Sequence, residues 1–304
     1  LGLLLFFIDG IGIGKKSKNN PLYRYGLWKH IISLKGITTL KKIMTKNYVI
    51  IPSDAKMSVD GIPQSATGQT TILTGINAPQ KIGGHITGLP SDTLSKIILE
   101  HSILKKIKEM GFKVTSANAY SQEYFKMVEE KKSRVSATTL AIKAAGVEFK
   151  MLEDIYKGSA VFMDITNHIL ITRYKNHKKI TIKKAVSNII NLINKHDFVL
   201  YEYFLTDHFG HKGKMKDRKK IIKHLNTFLK QLVKKIDTKK NIIVITSDHG
   251  NIEDLSKTHT ENMVPTIVFS KNKEILKLFY RKINTIQDIP NTILKYFMSY
   301  KRKI

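Results

Sequence analysis

The sequence predicts an α/β fold: a mostly parallel sheet flanked by helices, with a small inserted cap. Three observations predict it. Apolar, β-branched runs alternate with amphipathic helical patterns along the chain, the mark of βα units around a largely parallel sheet. Three of those runs end directly in Asp-bearing turns, at Asp9-Gly10, Thr206-Asp207 and Ser247-Asp248. The alternation then breaks between about residues 122 and 190, a stretch that reads as the cap.

In chain order, Leu3–Ile8 reads as a buried strand and Tyr48–Ile51 as a second. Ser102–Met110 has helical spacing and is closed by Gly111, and Phe112–Ser116 is the strand that follows. Ser136–Ala145 is a helical stretch inside the expected cap, among short mixed apolar segments near Val161 and Ile169. Phe198–Leu205 is a strand that runs into Thr206-Asp207. Ile221, Leu225, Phe228, Leu232 and Ile236 recur at helical spacing, so an amphipathic helix is expected over Lys216–Ile236. Asn241–Ile245 and Val264–Phe269 are the last strands, and Ile289–Phe297 is a helix with Pro290 in its first turn. The expected organisation is a core of residues 1–121 and 191–304 carrying a cap of residues 122–190. There is no internal repeat and no long Pro/Gly/Ser linker.

Composition narrows the chemistry. The chain has 304 residues, 42% of them hydrophobic, enough to bury a sizeable core. It has no cysteine, so disulfides and thiolate metal sites are excluded. Any metal must be held by carboxylates, imidazoles and hydroxyls. The lack of cysteine suits a cytoplasmic location. The apolar run at Leu3–Ile8 is far shorter than the ~20 residues of a membrane span. It also lacks a basic leader and a small-residue cleavage site, so neither a membrane segment nor a signal peptide is expected. The chain starts at Leu1 and enters that apolar run almost at once, as a sequence trimmed by a few residues would.

A net charge of +28 invites a nucleic-acid reading. The lysines, however, are spread along the chain and not gathered with aromatics on one element. Their abundance beside isoleucine and asparagine is what AT-rich coding produces. The expectation is a solvated basic surface that attracts small anions, with no nucleic-acid partner.

The chemistry gathers at the strand ends. Asp248-His249-Gly250-Asn251 follows one strand, and Asp207-His208-Phe209-Gly210-His211 follows another, with Asp207 and His211 four residues apart. His259 precedes the last strand, and Asp9 ends the first. Carboxylates and imidazoles in this mixture suit Mn²⁺ or Zn²⁺, and suit Mg²⁺ less because of the nitrogen ligands. Together these residues amount to two half-built metal sites. Gln64-Ser65-Ala66-Thr67-Gly68-Gln69-Thr70 follows a Gly61-Ile62-Pro63 turn and precedes Ile72-Leu73. It reads as a loop feeding a helix N-terminus, where backbone N–H groups hold an anion. Ser65 there is either a helix cap or a nucleophile ionised by a metal.

In this order, Asp9-Gly, Ser65-x-Thr-Gly, Asp207-x-x-Gly-His211, Asp248-His249-Gly and His259-Thr resemble the metalloenzyme core of phosphopentomutase and cofactor-independent phosphoglycerate mutase. Those enzymes belong to the alkaline phosphatase superfamily. The stretch Pro63–Thr70 also closely matches a shorter group of bacterial metalloenzyme-domain proteins. The resemblance implies two divalent metal ions. Asp9, Ser65, Asp248 and His249 would hold one, with Ser65 also the nucleophile, and Asp207, His211 and His259 the other. His208, between two of these ligands, is expected to face away.

The chain also departs from both mutases. Ala66 stands where phosphoglycerate mutase has an acidic residue, and Gln69 where both mutases usually carry histidine. The insertion between Ser65 and Asp207 is short, with Arg134 and Arg173 as its candidates for gripping a second phosphate. Thr67 and His85, the latter in a loop after the nucleophile helix, are further candidates for substrate contact. Asn251 and Lys15 read more simply as a turn residue and a surface charge.

The expected function is phosphoryl transfer through a phosphoserine, mutase-like, on a small phosphorylated substrate, by a monomer or homodimer. The alternatives are a metal-dependent phosphatase or phosphodiesterase and a non-catalytic metal-dependent binding protein.

Overall fold

The computed structural model describes residues 2–29, 31–32, 37–174 and 176–301. Its centre is a seven-stranded sheet built from β1 (Leu3–Ile8), β2 (Ile43–Met44), β3 (Tyr48–Ser53), β4 (Val114–Ser116), β7 (Phe198–Tyr203), β8 (Ile242–Thr246) and β9 (Val264–Phe269). A separate two-stranded ribbon pairs β5 (Ala119–Tyr120) with β6 (Lys150–Met151). The large sheet has the order β2-β3-β9-β8-β1-β7-β4. β1 pairs in parallel with β7 and β8, and β4 with β7. β9 runs antiparallel to both β8 and β3, and β2 antiparallel to β3. Strands β1, β3, β4, β7 and β8 therefore point one way, and β2 and β9 the other.

The reversal at β9 accords with the short connection that leads into it. A parallel return needs a crossover, usually helical, and the segment from Ser247 to Met263 between β8 and β9 contains no helix. The result matters for the site. The start of β9 lies at the same edge of the sheet as the ends of β1, β3, β7 and β8.

Both faces of the sheet are covered, as its sequence dictates. β1 is apolar at every position and wholly buried, the pattern of a strand with a core on each side. Leu4, Phe6 and Ile8 enter one core, with the Ile182–Lys195 and Met215–Lys235 helices packed against it. Leu3, Leu5 and Phe7 enter the other, with the Ser65–Thr74, Ile103–Glu109, Ala137–Ala144, Lys273–Lys282 and Asp288–Lys301 helices. Among the described residues no helix is long and apolar enough to cross a membrane.

Local boundaries differ from expectation in instructive places. The strand expected to reach Leu205 stops at Tyr203, and Leu205 opens a helix that runs to His211. The Ile182–Lys195 helix crosses the border placed at residue 190, because Ala185, Val186, Ile189, Leu192 and Ile193 face the sheet's first core. Ala137–Ala144 packs into the second core. Leu152, Ile155, Ala160, Phe162 and Leu170 form a small cluster of their own.

Candidate metal centre

The site lies at the strand-end edge that the topology creates. β1 delivers Asp9 and β8 delivers Asp248 and His249. β7 leads through Phe204 into the Leu205–His211 helix, which carries Asp207 and His211 one turn apart. His259 stands just before β9. The loop after β3 leads to Ser65, the first residue of the Ser65–Thr74 helix.

In that helix the Ser65 hydroxyl is not the cap. Gln64 occupies the cap position and makes no side-chain cap bond. Ser65 Oγ instead lies 2.9 Å from His249 Nε2. The helix is buried along its whole length, polar residues included. Its threonines stay satisfied by donating back to carbonyls four residues earlier: Thr70 to Ala66, Thr71 to Thr67 and Thr74 to Thr70. Gly68 lets it approach the Asp248 turn, since a Cβ there would sit 2.8 Å from the Asp248 carbonyl oxygen. Gly10, at φ +72°, gives β1 its sharp exit against Asp207.

Around Ser65, His249 Nε2 is 3.2 Å from Asp9, 3.6 Å from Asp248 and 3.9 Å from Asp207. His259 Nε2 is 3.4 Å from Asp207 and 2.8 Å from His211 Nε2. The His249 and His259 rings stack at 4.1 Å. Ligand atoms of Asp9, Asp248 and His249 fall within 4.8 Å of one another, and so do those of Asp207, His249 and His259. His249 thus belongs to both groups, and His211 adjoins the second through Asp207 at 3.4 Å and His259.

Burial sets the charge state of this cluster. For Asp9 and Asp248, burial first and then neighbouring carboxylates raise the carboxyls, His249 opposes them, and both end above the usual range. Burial alone would lower His249, but Asp248, Asp9 and Asp207 overcome it and hold the imidazole at about 10. Burial would raise Asp207, but His259, His249, Asn251 and His211 bring it to about 2. Burial lowers His211.

The donor set fits divalent metal ions. Asp248 Oδ2 is buried and has no hydrogen-bond partner, a cost of about 1–3 kcal/mol that a cation would remove. Two imidazole nitrogens 2.8 Å apart either share a proton or turn their lone pairs on one cation. Nitrogen and carboxylate donors together are the chemistry of Mn²⁺ and Zn²⁺ sites.

Several partners of the cluster were not legible as such. Gln69 donates to Asp9 Oδ2 at 3.0 Å. Asn251 donates to Asp207 Oδ1 at 2.6 Å, a direct role in place of the turn residue expected. Glu253, buried, accepts from the Gly12 and Asn251 backbone N–H groups and from Asn262 and Thr260. It ties together the loops after β1 and β8. Its only signal in the sequence was its nearness to Asp248-His249-Gly250.

Asp9, Ser65, Asp207 and His211 open onto a cavity of about 670 Å³. Arg173 lines it, whereas Arg134 is exposed and Thr67 and His85 lie outside the lining. Thr67 is buried and donates to the Gln64 carbonyl oxygen, and His85 Nε2 sits 3.4 Å from the Val59 carbonyl oxygen. His208 lines the cavity and does not face away from it, because the helix presents it toward the mouth. Lys15 is exposed. Glu202, one residue before the end of β7, also lines the cavity, and burial pushes its carboxyl up to about 7.

A family model described as the metalloenzyme superfamily matches residues 2–301. The chain belongs to the metalloenzyme superfamily. Membership implies divalent metal binding, in agreement with the donor set at the sheet edge. The chain is 29% identical over 135 residues to a 2,3-bisphosphoglycerate-independent phosphoglycerate mutase of Clostridium kluyveri, covering 41% of this chain and 26% of that protein. It is 31% identical, with the same coverage, to the enzyme of that name from Ehrlichia ruminantium. The chain thus spans about a quarter of the length of the curated relatives it matches.

Among solved structures it resembles the alkaline phosphatase of the Antarctic bacterium TAB5, at TM-score 0.50 and 12% identity over 98% of each chain. It also resembles the zinc complex of the C-terminal periplasmic domain of Escherichia coli EptC, at TM-score 0.50 and 11% identity over 97% of this chain and 81% of that one. These likenesses establish an alkaline phosphatase-like α/β fold for the superfamily member described here.

Proposed function

We propose that this chain is a two-metal-dependent phosphoryl-transfer enzyme that works through a phosphoserine at Ser65, mutase-like, on a small phosphorylated metabolite. The observation that carries the reading is the placement of Ser65. Its hydroxyl heads a buried helix, lies 2.9 Å from His249 Nε2 and opens onto the cavity.

Asp9, Ser65, Asp248 and His249 would hold one Mn²⁺ or Zn²⁺ ion, and Asp207, His211 and His259 the other. When bound, such a pair neutralises phosphate charge and lowers the pKa of the serine hydroxyl. The chain's own groups do the rest. The N-terminal turn of the Ser65–Thr74 helix would offer the phosphate backbone N–H groups that have no partner within the helix. Ser65 Oγ gives up its proton and attacks phosphorus in line, the bond to the ester oxygen breaks, and the departing alcohol takes up a proton, so that none is gained or lost in the transfer. A second acceptor then takes the phosphoryl group from Ser65. Gln69 and Asn251 fix the Asp9 and Asp207 carboxylates by hydrogen bonds, so that neither rotates away during transfer.

The identity of the second acceptor separates a mutase from a phosphatase or phosphodiesterase. Gly88, His208 and Lys212 are exposed where they line the cavity. That open mouth admits water and favours hydrolysis as the second reading.

The test compares wild type with Ser65→Ala, each loaded with Mn²⁺ or Zn²⁺, against p-nitrophenyl phosphate, sugar phosphates and phosphoglycerates. Wild type is expected to turn over a substrate and to gain one phosphate by intact mass, and the variant to do neither. An isomeric product marks a mutase, and free phosphate marks a hydrolase. Two bound metals with neither adduct nor turnover in wild type would overturn the assignment of Ser65.

A further inference from the structure

Resting on that reading of the site, we infer that the cavity selects phosphate monoesters whose alcohol carries an uncharged flat ring, and discriminates against esters bearing a second acidic group. Tyr120, Tyr124, Phe162, Tyr174 and Phe204 line the cavity beside Ser65. The three tyrosines present ring surface, because their hydroxyls are engaged within the protein. Thr139 Oγ1 donates to Tyr120 Oη at 3.2 Å and lies 3.1 Å from Tyr124 Oη. Tyr174 Oη donates to Ser121 Oγ at 3.2 Å and to Glu123.

Tyr120 is also held by rings on its far side, with Phe149 at 5.3 Å and Phe125 at 5.5 Å between centroids. Its plane is therefore set before a ligand arrives. Ready-placed aromatic surface binds a flat ring without the cost of ordering side chains.

Charge points the same way. Among the described residues, the lysine and arginine that line the cavity are Arg173 and Lys212, and both are exposed at its mouth. The less exposed charged members of the lining are acids, Asp9, Glu202 and Asp207. Away from the metal cluster, a second carboxylate or phosphate on the ligand would meet Glu202 and a wall of rings, with no buried lysine or arginine among the described lining residues to receive it. Desolvating an anion without a partner is among the costliest of contacts. About 670 Å³ accommodates a ring-bearing ester with room to spare, within the range of small-molecule sites.

The experiment is calorimetry on Mn²⁺-loaded Ser65→Ala, which binds without transferring phosphate. The probes are phenyl phosphate, glycerol 3-phosphate, 3-phosphoglycerate and inorganic phosphate. Phenyl phosphate is expected to bind about tenfold or more tighter than 3-phosphoglycerate, a difference of about 1.4 kcal/mol. Adding Tyr124→Ala should weaken phenyl phosphate several-fold and leave inorganic phosphate unchanged. Phe204→Leu should do the same should Tyr124→Ala disturb folding. Adding Glu202→Gln should narrow the gap between phenyl phosphate and 3-phosphoglycerate.

Equal or tighter binding of 3-phosphoglycerate would overturn the inference. So would ring variants that weaken inorganic phosphate as much as phenyl phosphate. Wild type that binds in the expected order yet forms no phosphoserine would sink the transfer reading while leaving the ring preference standing.

Discussion

Glu202 shows how much a single residue's meaning depends on its surroundings. In sequence it is one acid in an apolar run, Phe198–Tyr203. In the fold it lines the cavity near Asp248, and burial pushes its carboxyl from 4.5 to about 7. Between those values the folded chain holds a proton that the unfolded chain has lost. The contribution to stability is therefore complete below about 4.5 and disappears as pH rises through about 7. Melting temperatures of wild type and Glu202→Gln, followed from pH 4 to pH 8, are expected to diverge across that window, with wild type losing ground by about 1–3 kcal/mol. Parallel curves would show that Glu202 titrates as an ordinary surface acid.

Residues such as Asp9, Asp207, Asp248 and His259 were identifiable beforehand by their positions at strand ends. Glu202 was not, because nothing in its neighbours records that a cavity opens on that face of β7.

At the scale of elements, the packing of the Ser65–Thr74 helix against the turn after β8 decides whether Ser65 and the candidate metal ligands share a site. Gly68 is a point of close approach, where a Cβ would lie 2.8 Å from the Asp248 carbonyl oxygen and 2.9 Å from Asp248 Cβ. Alanine in a helix interior normally gains up to about 1 kcal/mol over glycine. Here overpacking against backbone outweighs the gain, at a typical cost of about 1–3 kcal/mol. Gly68→Ala is expected to lower the urea midpoint and to weaken divalent metal binding in titration, because the helix must move away from Asp248 and His249. Unchanged metal affinity in a folded variant would separate the helix from the metal centre.

The elements themselves were read with uneven success. The buried strands and the long amphipathic helix stood out through their periodicity, and their ends fell within a few residues of expectation. The Leu205–His211 helix differs from the strand end and turn that the sequence predicts, since Phe198–Leu205 is a run apolar at every position but Glu202. Periodicity has no power to place a boundary inside such a run.

The whole molecule carries a net charge of +28 around a buried acidic centre. Asp9 and Asp248 are raised first by burial and then by carboxylate repulsion, from Asp248 and Asp207 on Asp9 and from Asp207 on Asp248. Divalent metal ions relieve that repulsion in the folded chain and find no comparable site in the unfolded one. Binding then adds directly to stability by mass action. Adding Mn²⁺ or Zn²⁺ to chelator-treated protein is expected to raise the melting temperature by several degrees. A hundredfold excess over Kd corresponds to about 2.7 kcal/mol. The same addition to an Asp248→Asn, His259→Ala double variant should give a much smaller rise. An equal rise in both proteins would place the metal elsewhere.

The sequence by itself determined the fold class and pointed to the carboxylates and imidazoles that the fold brings together. Strand periodicity and the residues that follow each strand are local properties, and in an α/β sheet strand ends share an edge. It also determined that no thiolate would be among the ligands. Tertiary structure alone decided that β9 runs backwards and so brings His259 to that edge. It alone decided that Ser65 turns toward His249 in place of capping its helix. It alone gathered tyrosines and phenylalanines from well-separated segments around one cavity, with their hydroxyls turned inward. Those outcomes depend on contacts between residues tens to nearly two hundred positions apart, and no local pattern carries that information.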